Sequence, residues 1–207
     1  MLMNVATGCR ELREADVQAA AQVISQAYME DPLCAFILPH KNSRAQTLLK
    51  FFLVINEFAV KSKRVYGVGD PLQGVAYWEY PGQEDLSINI KSLGKLLPLL
   101  FSRYLYGYFR ARPITAQIDA LRKAHANTPH YYLDNLGVAP AARGQGLASK
   151  LLRPMLDKAD AEKAMVYTDT VTQSNVGLYE HFGFVVVEER TVPNTGITIW
   201  ALHRPTH

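Results

Sequence analysis

Hydrophobic and polar positions recur along this chain in two periods, and the places where the period changes outline its elements. Over residues 14–28, Val17, Ala20, Ala21, Ile24 and Tyr28 fall at three-, four- and seven-residue spacing, one face of a helix. Asp31-Pro32 ends that pattern, because proline lacks the N–H and biases its predecessor away from helix. Residues 33–40 then read as an apolar loop closed by Pro39. A second helix is predicted over 44–61, capped by Asn42 or Ser43, with Leu48, Phe51, Phe52, Ile55 and Phe58 turned inward. Strand-like runs occupy 10–13, 63–68 and 74–80, and Gly69-Asp70-Pro71 joins the last two into a hairpin.

Residues 85–127 are helical in composition but punctuated by Pro98, Gly107 and Pro113, and they are unusually aromatic: Phe101, Tyr104, Tyr106, Tyr108 and Phe109 crowd together. A strand follows at 130–138 and a helix at 145–159, whose inward face is Leu147, Ala148, Leu151, Leu152, Met155 and Ala159. Pro154 lies inside that pattern and should kink the helix without ending it, since the apolar period continues beyond. A strand at 164–170, a short helix at 174–182 stopped by Gly183, and strands at 184–190 and 197–202 around Pro193-Asn194-Thr195-Gly196 complete the chain. Hairpins mixed with β-α-β crossovers predict an α/β (α+β) fold. Its centre would be a mixed sheet of about seven strands flanked by helices, with a helical insert before the central strand. No composition shift marks a linker, so residues 1–207 read as one domain.

Composition narrows the function classes only a little. Hydrophobic residues make up 48% and charged residues 20%, which suits a packed globular core. A net charge of +3 is too small to indicate nucleic acid or a membrane surface as partner. No apolar run approaches a bilayer span, and the start of the chain lacks the features of a signal peptide. Cys9 and Cys34 form no metal-ligand or redox spacing and read as free thiols of a cytoplasmic protein. No metal is expected; His203 and His207 have no partner ligands at suitable spacing.

Candidate chemistry gathers in 132–148. Leu136, Gly137 and Val138 end the central strand; Arg143, Gly144, Gln145, Gly146, Leu147 and Ala148 then enter a helix. Two glycines let the backbone approach a ligand, the first helical N–H groups point outward, and Arg143 adds positive charge, so a pyrophosphate fits. Position 149 is Ser, which breaks a dinucleotide G-x-G-x-x-G pattern, and the lysine of a P-loop is absent.

The stretch 136–148, with Arg143, Gly146 and Ala148 in a Q/R-x-x-G-x-G/A arrangement, resembles motif A of the GNAT superfamily of N-acetyltransferases. Asn175, Tyr179, Gly183 and Phe184 resemble its motif B, N-x-x-x-Y-x-x-x-G-F, and the element order is similar too. Asp31-Pro32 through Pro39, Pro154 and Trp200 resemble the branch that contains puromycin N-acetyltransferase. The resemblance implies acetyl-CoA as donor. Leu136, Gly137 and Val138 would pair with its pantetheine arm, residues 143–148 would hold the pyrophosphate, Asn175 would bond the coenzyme arm, and Tyr179 would protonate the departing thiolate. Asp169 and Asp134 are the candidate bases, with Glu79 a third; His130 and His181 read as surface residues. Tyr179 alone reads equally as a core aromatic, Asn175 as a helix cap, and Gly144 and Gly146 as a plain turn. The aromatic insert suggests a pocket for a small hydrophobic or aromatic amine, with the protein acting as monomer or homodimer. A non-catalytic acyl-CoA-binding module and a peptide N-acetyltransferase are the alternatives.

Overall fold

A computed structural model describes residues 8–82 and 103–206. In chain order these form β1 (Cys9–Glu11), α1 (Val17–Ala27), α2 (Pro32–Ile37), α3 (Lys41–Ala59), β2 (Val65–Val68), β3 (Gly74–Glu79), α4 (Arg103–His125), β4 (His130–Val138), α5 (Leu147–Ala161), β5 (Met165–Thr170), α6 (Gln173–His181), β6 (Val185–Thr191) and β7 (Thr198–Arg204). The strands make one seven-stranded sheet in the order β1-β2-β3-β4-β5-β7-β6. Every neighbouring pair is antiparallel except β4–β5, which is parallel. The mixed α/β architecture is the one the pattern predicts.

Helices cover both faces. On one, Leu147, Leu151, Leu152 and Met155 of α5 and Tyr179 of α6 pack with Trp78, Tyr131, Leu133 and Val166. On the other, Ala20, Ala21 and Ile24 of α1 and Leu48 and Phe52 of α3 pack with Val65, Val75 and Tyr77. Beyond β4 that second face is covered by α4, whose Ile114 and Leu121 pack with Tyr132, Tyr167, Ile199 and Ala201.

Several expected boundaries change for local reasons. Of the expected loop at 33–40, residues 33–37 are helical: Asp31 accepts the Cys34 N–H at 3.0 Å and Pro32 takes the first helical position. The following helix begins at Lys41 with His40 at its N-cap, and Ser43 lies inside it, its hydroxyl donating to the His40 carbonyl. The described part of the insert is a 23-residue helix, α4, that passes through Pro113. Residues 83–102, including Phe101, lie outside the described residues, so that part of the insert and of the aromatic run stays unassigned. Helix α5 continues past Pro154, as its apolar period requires. No described helix is long and apolar enough to cross a membrane.

Candidate active site

The site begins with a fork between β4 and β5. Their ladder runs from His130↔Met165 to Leu133↔Thr168, while β4 continues to Val138 against β3. A register shift opens the fork. Tyr77 pairs with Asn135 but Trp78 pairs with Leu133, leaving Asp134 as an extra residue in β4. Such a bulge sharpens the local twist and turns one strand away from its neighbour. It also resets the side-chain alternation: Leu136 and Val138 rejoin the face of Tyr131 and Leu133. Gly137 then faces α1 so closely that a Cβ would lie 2.5 Å from Ile24 Cδ1. Thus Leu136, Gly137 and Val138 sit on the stretch of β4 that has left β5, as a pairing site for an extended ligand requires.

At the far end of that edge the chain turns into α5. Gly144 and Gly146 have φ of +77° and +72°, and Gly146 is the N-cap. A Cβ at either would meet nothing within 4 Å, so the conformation, not crowding, calls for glycine. The first backbone bond of the helix runs from Lys150 N to Gly146 O, and no side chain caps the end. The N–H groups of Leu147, Ala148 and Ser149 therefore point out of the helix at the positive end of its dipole. Arg143 is exposed at this turn and donates to the Ala27 carbonyl at 3.2 Å, which ties the turn to the end of α1. Gln145 is exposed as well, with its amide 3.5 Å from the Ala141 carbonyl. An open cleft of about 460 Å³, lined by Gln26, Ala27, Glu30, Pro140 and Arg143 among others, flanks the turn rather than the fork.

Tyr179 reaches the fork from α6. The end of that helix explains why motif B has its spacing. Gly183, at φ +84°, follows the C-cap; Gly183 N bonds Glu180 O at 2.9 Å and Phe184 N bonds Tyr179 O at 3.2 Å. This is a Schellman motif, in which the residue after the glycine packs back on the third-last helical residue. Here those two are Phe184 and Tyr179, their ring centroids 5.6 Å apart. Tyr179 is buried against the face of β5 that carries Val166 and, by alternation, Thr168, the β5 member of the last ladder pair. Burial holds the phenol above its ordinary pKa, so it is neutral at physiological pH. Asn175 is not the helix cap, which is Thr172; it lies one turn in, its amide 3.4 Å from Thr170 Oγ1.

Asp169 approaches the fork from the other face. It accepts the Tyr132 hydroxyl at 2.9 Å, and Tyr132 belongs to the core under α4. Burial pushes the Asp169 carboxyl up to about 6, the hydrogen bond from Tyr132 opposing and the nearby charge of Asp134 assisting. Asp134, the bulged residue, is exposed and accepts from the Asn135 amide at 2.7 Å. Glu79 is engaged elsewhere: it accepts from Arg122 at 2.5 Å, and that guanidinium stacks 3.9 Å over the Tyr132 ring. A neutral phenol on one face and a carboxylate of raised pKa on the other thus flank one gap.

Four roles here have no recognisable sequence signal. Tyr132, Thr168 and Arg122 become legible only once β4 and β5 are known to be parallel and in this register. Asp31 bridges α2 to the turn after β5, its second oxygen accepting from the Thr172 hydroxyl at 3.3 Å, and its capping role was hidden behind Pro32. Among the described residues no cluster of three or more His, Cys, Asp or Glu could hold a metal.

A family model described as the acetyltransferase (GNAT) family matches residues 94–184. A Schizosaccharomyces pombe protein named as an uncharacterized N-acetyltransferase is 28% identical over 178 residues, 82% of this chain and 71% of that protein. A Corynebacterium glutamicum structure described as histone acetyltransferase HPA2 and related acetyltransferase aligns with a TM-score of 0.66 at 19% identity, covering 96% of each chain. Polyamine N-acetyltransferase of Drosophila melanogaster aligns with a TM-score of 0.62 at 12% identity, covering 95% of this chain and 98% of its own. At such identities the two structures speak for the fold. In the family match, the named relative and the fold alike, the chain is similar to acetyltransferases of the GNAT type.

Proposed function

We propose that the protein transfers an acetyl group from acetyl-CoA to the amine of a small molecule with an apolar or aromatic body. The observation that carries this reading is the fork, with Tyr179 on one side and Tyr132-bound Asp169 on the other. The pantetheine arm would lie along Leu136, Gly137 and Val138, the pyrophosphate on the N–H groups and charge of residues 143–149, with Asn175 near the arm. Asp169 takes the proton of the incoming ammonium, directly or through one water; a carboxylate with a pKa of about 6 is ionised at pH 7 yet basic enough for that task. The neutral amine attacks the thioester carbonyl, and a β4 backbone N–H stabilises the oxyanion. The C–S bond then breaks with its electrons on sulfur, and the neutral Tyr179 phenol supplies the proton. Asp134, at the mouth, draws the cationic acceptor inward.

The apolar character of the acceptor is supported by Leu33 and Phe36 of α2, Ile118 of α4 and Val171, which pack around the face that carries Tyr132. The same α2 begins at Asp31-Pro32, the segment whose resemblance to the puromycin N-acetyltransferase branch supports a small-molecule acceptor. Cys9 and Cys34, buried and in no disulfide, support a reducing, cytoplasmic setting. The test is release of free thiol from acetyl-CoA across a panel of arylalkylamines, aliphatic polyamines and amino-terminal peptides. Turnover with hydrophobic or aromatic amines is expected. Preference for peptides, or coenzyme binding without turnover of any amine, would overturn the reading.

A further inference from the structure

A cation stands behind the hydrogen bond from Tyr132 to Asp169, and the strand register brings it there. Glu79 of β3 pairs directly with Tyr132 of β4, and His130 lies two residues before Tyr132 on the same face. Both hold Arg122 of α4. Its Nη2 donates to Glu79 Oε2 at 2.5 Å, and its Nε donates to His130 Nε2 at 3.3 Å. The second bond needs one tautomer. His130 Nδ1 lies 2.7 Å from the Thr128 carbonyl, which can only accept, so Nδ1 carries the proton and Nε2 of the neutral ring receives Arg122. With these two anchors the guanidinium sits 3.9 Å over the centre of the Tyr132 ring. Tyr132 in turn donates to Asp169 Oδ1 at 2.9 Å.

We infer that Arg122 is a positioning residue for the base: stacked on the Tyr132 ring, it holds the phenol hydroxyl against the Asp169 carboxylate and places a positive charge behind that bond. This rests on the reading of Asp169 as the base. A cation on the ring face draws electron density from the phenol and makes its O–H a stronger donor to an anion. Once Asp169 takes the ammonium proton its charge is gone and that bond weakens, so the arrangement favours the ionised, proton-accepting form. The groups near Asp169 are Tyr132 and Asp134 of β4, Asp119 and Arg122 of α4, Tyr167 of β5 and Tyr179 of α6. Burial and the carboxylates Asp134 and Asp119 oppose its ionisation, while the Tyr132 bond and Arg122 favour it. Glu79, 6% exposed, serves in this place as the counter-ion that lets a guanidinium sit under α4.

The experiment titrates the Asp169 carboxyl in the intact protein by carbon-13 NMR, its signal assigned by its loss in Asp169→Asn. Arg122→Gln is combined with Glu79→Gln, so that no buried charge is left without a partner, and is compared with Arg122→Lys and wild type. Each is also placed in a Tyr132→Phe background, and melting temperatures are measured for all. The paired glutamine variant should titrate about 0.5–1 pH unit above wild type. Arg122→Lys, which keeps the charge, should recover about half of that shift or more. In the Tyr132→Phe background the shift should fall to less than about half, because the hydroxyl that carries it is gone. Should the glutamine pair not fold, Arg122→Met with Glu79→Leu makes the same comparison. A lower melting temperature with an unmoved Asp169 titration would make the pair a structural tie and overturn the inference, as would an equal shift with and without the Tyr132 hydroxyl. Activity on 2-phenylethylamine separates the two readings: a wild-type rate for Asp169→Asn would remove Asp169 as the base, and this inference with it.

Discussion

Tyr132 donates its hydroxyl to Asp169 Oδ1 at 2.9 Å, joining the central strand to its parallel neighbour where the two separate. The bond holds a carboxylate at the fork against the burial that raises its pKa to about 6. In the unfolded chain the carboxyl titrates near 3.8, so between about 4 and 6 the native state binds more protons. Stability is therefore greatest below that window, falls as pH rises through it, and stays at the lower level above it. Asp169→Asn should raise stability at pH 7.5 by on the order of 1–3 kcal/mol, and the gain should vanish below pH 4. The rate should respond in the opposite sense: wild-type kcat/KM declines below pH 6, and Asp169→Asn loses activity throughout. Thermal melts and pH–rate profiles of the two proteins check both.

The glycine turn separates ligand binding from packing. Since a Cβ at Gly146 meets nothing within 4 Å, Gly146→Ala is strained only by its φ of +72° and should cost about 1–2 kcal/mol in stability. Relaxing that strain moves the N–H groups of Leu147 and Ala148, so the acetyl-CoA Kd should rise by about tenfold or more, in excess of the effect on kcat. Isothermal titration with acetyl-CoA reads the first and steady-state kinetics the second.

The Schellman cap predicts a remote effect on chemistry. Phe184 is 2% exposed and packs on Tyr179 with the rings tilted at 58°, and Gly183 at φ +84° lets the chain bring it there. Phe184→Ala should destabilise the protein by about 3–5 kcal/mol, and Phe184→Leu by less than about 1.5 kcal/mol. The leucine variant should still lose kcat, because the ring that fixes Tyr179 is gone. Chemical denaturation together with kcat at saturating acetyl-CoA separates the two effects.

Close packing of α1 on the fork makes Gly137 sensitive. A Cβ there would meet Ile24 Cδ1 at 2.5 Å and Ala27 Cβ at 3.0 Å, so Gly137→Ala should cost about 1–3 kcal/mol. Ile24→Val removes the first of those atoms. The double variant should therefore be less destabilised than the sum of the two single ones, as a double-mutant cycle of denaturation free energies would show.

Much of this architecture is legible in the order of residues. The central strand, 130–138, has the predicted bounds, because its apolar residues lie between two clear turns. The glycines, Asn175 and Tyr179 carry their signal in fixed spacing along single helices. What stayed hidden depends on pairing between distant strands. Nothing in Leu133-Asp134-Asn135 announces a bulge, since no glycine or proline stands there; the shift becomes visible only against Tyr77 and Trp78. Tyr132 could not be linked to Asp169 before the parallel register was known. Helix α2 is hidden for a different reason: an Asp-Pro pair disfavours a preceding helix through the proline, yet opens a following one through Asp31 at its N-cap and Pro32 at its first position. Helix α4 crosses Pro113 because its packing on the sheet through Ile114, Ile118 and Leu121 outweighs one missing N–H.

In the proposed reaction Tyr179 is the acid that completes acetyl transfer at the fork. The most direct measurement pairs kcat with the acetyl-CoA Kd for wild type and Tyr179→Phe, which keeps the ring against Phe184 and removes only the hydroxyl. A fall in kcat of about 100-fold or more, with the Kd within about twofold, is the predicted result. A variant that turns over at the wild-type rate would contradict it.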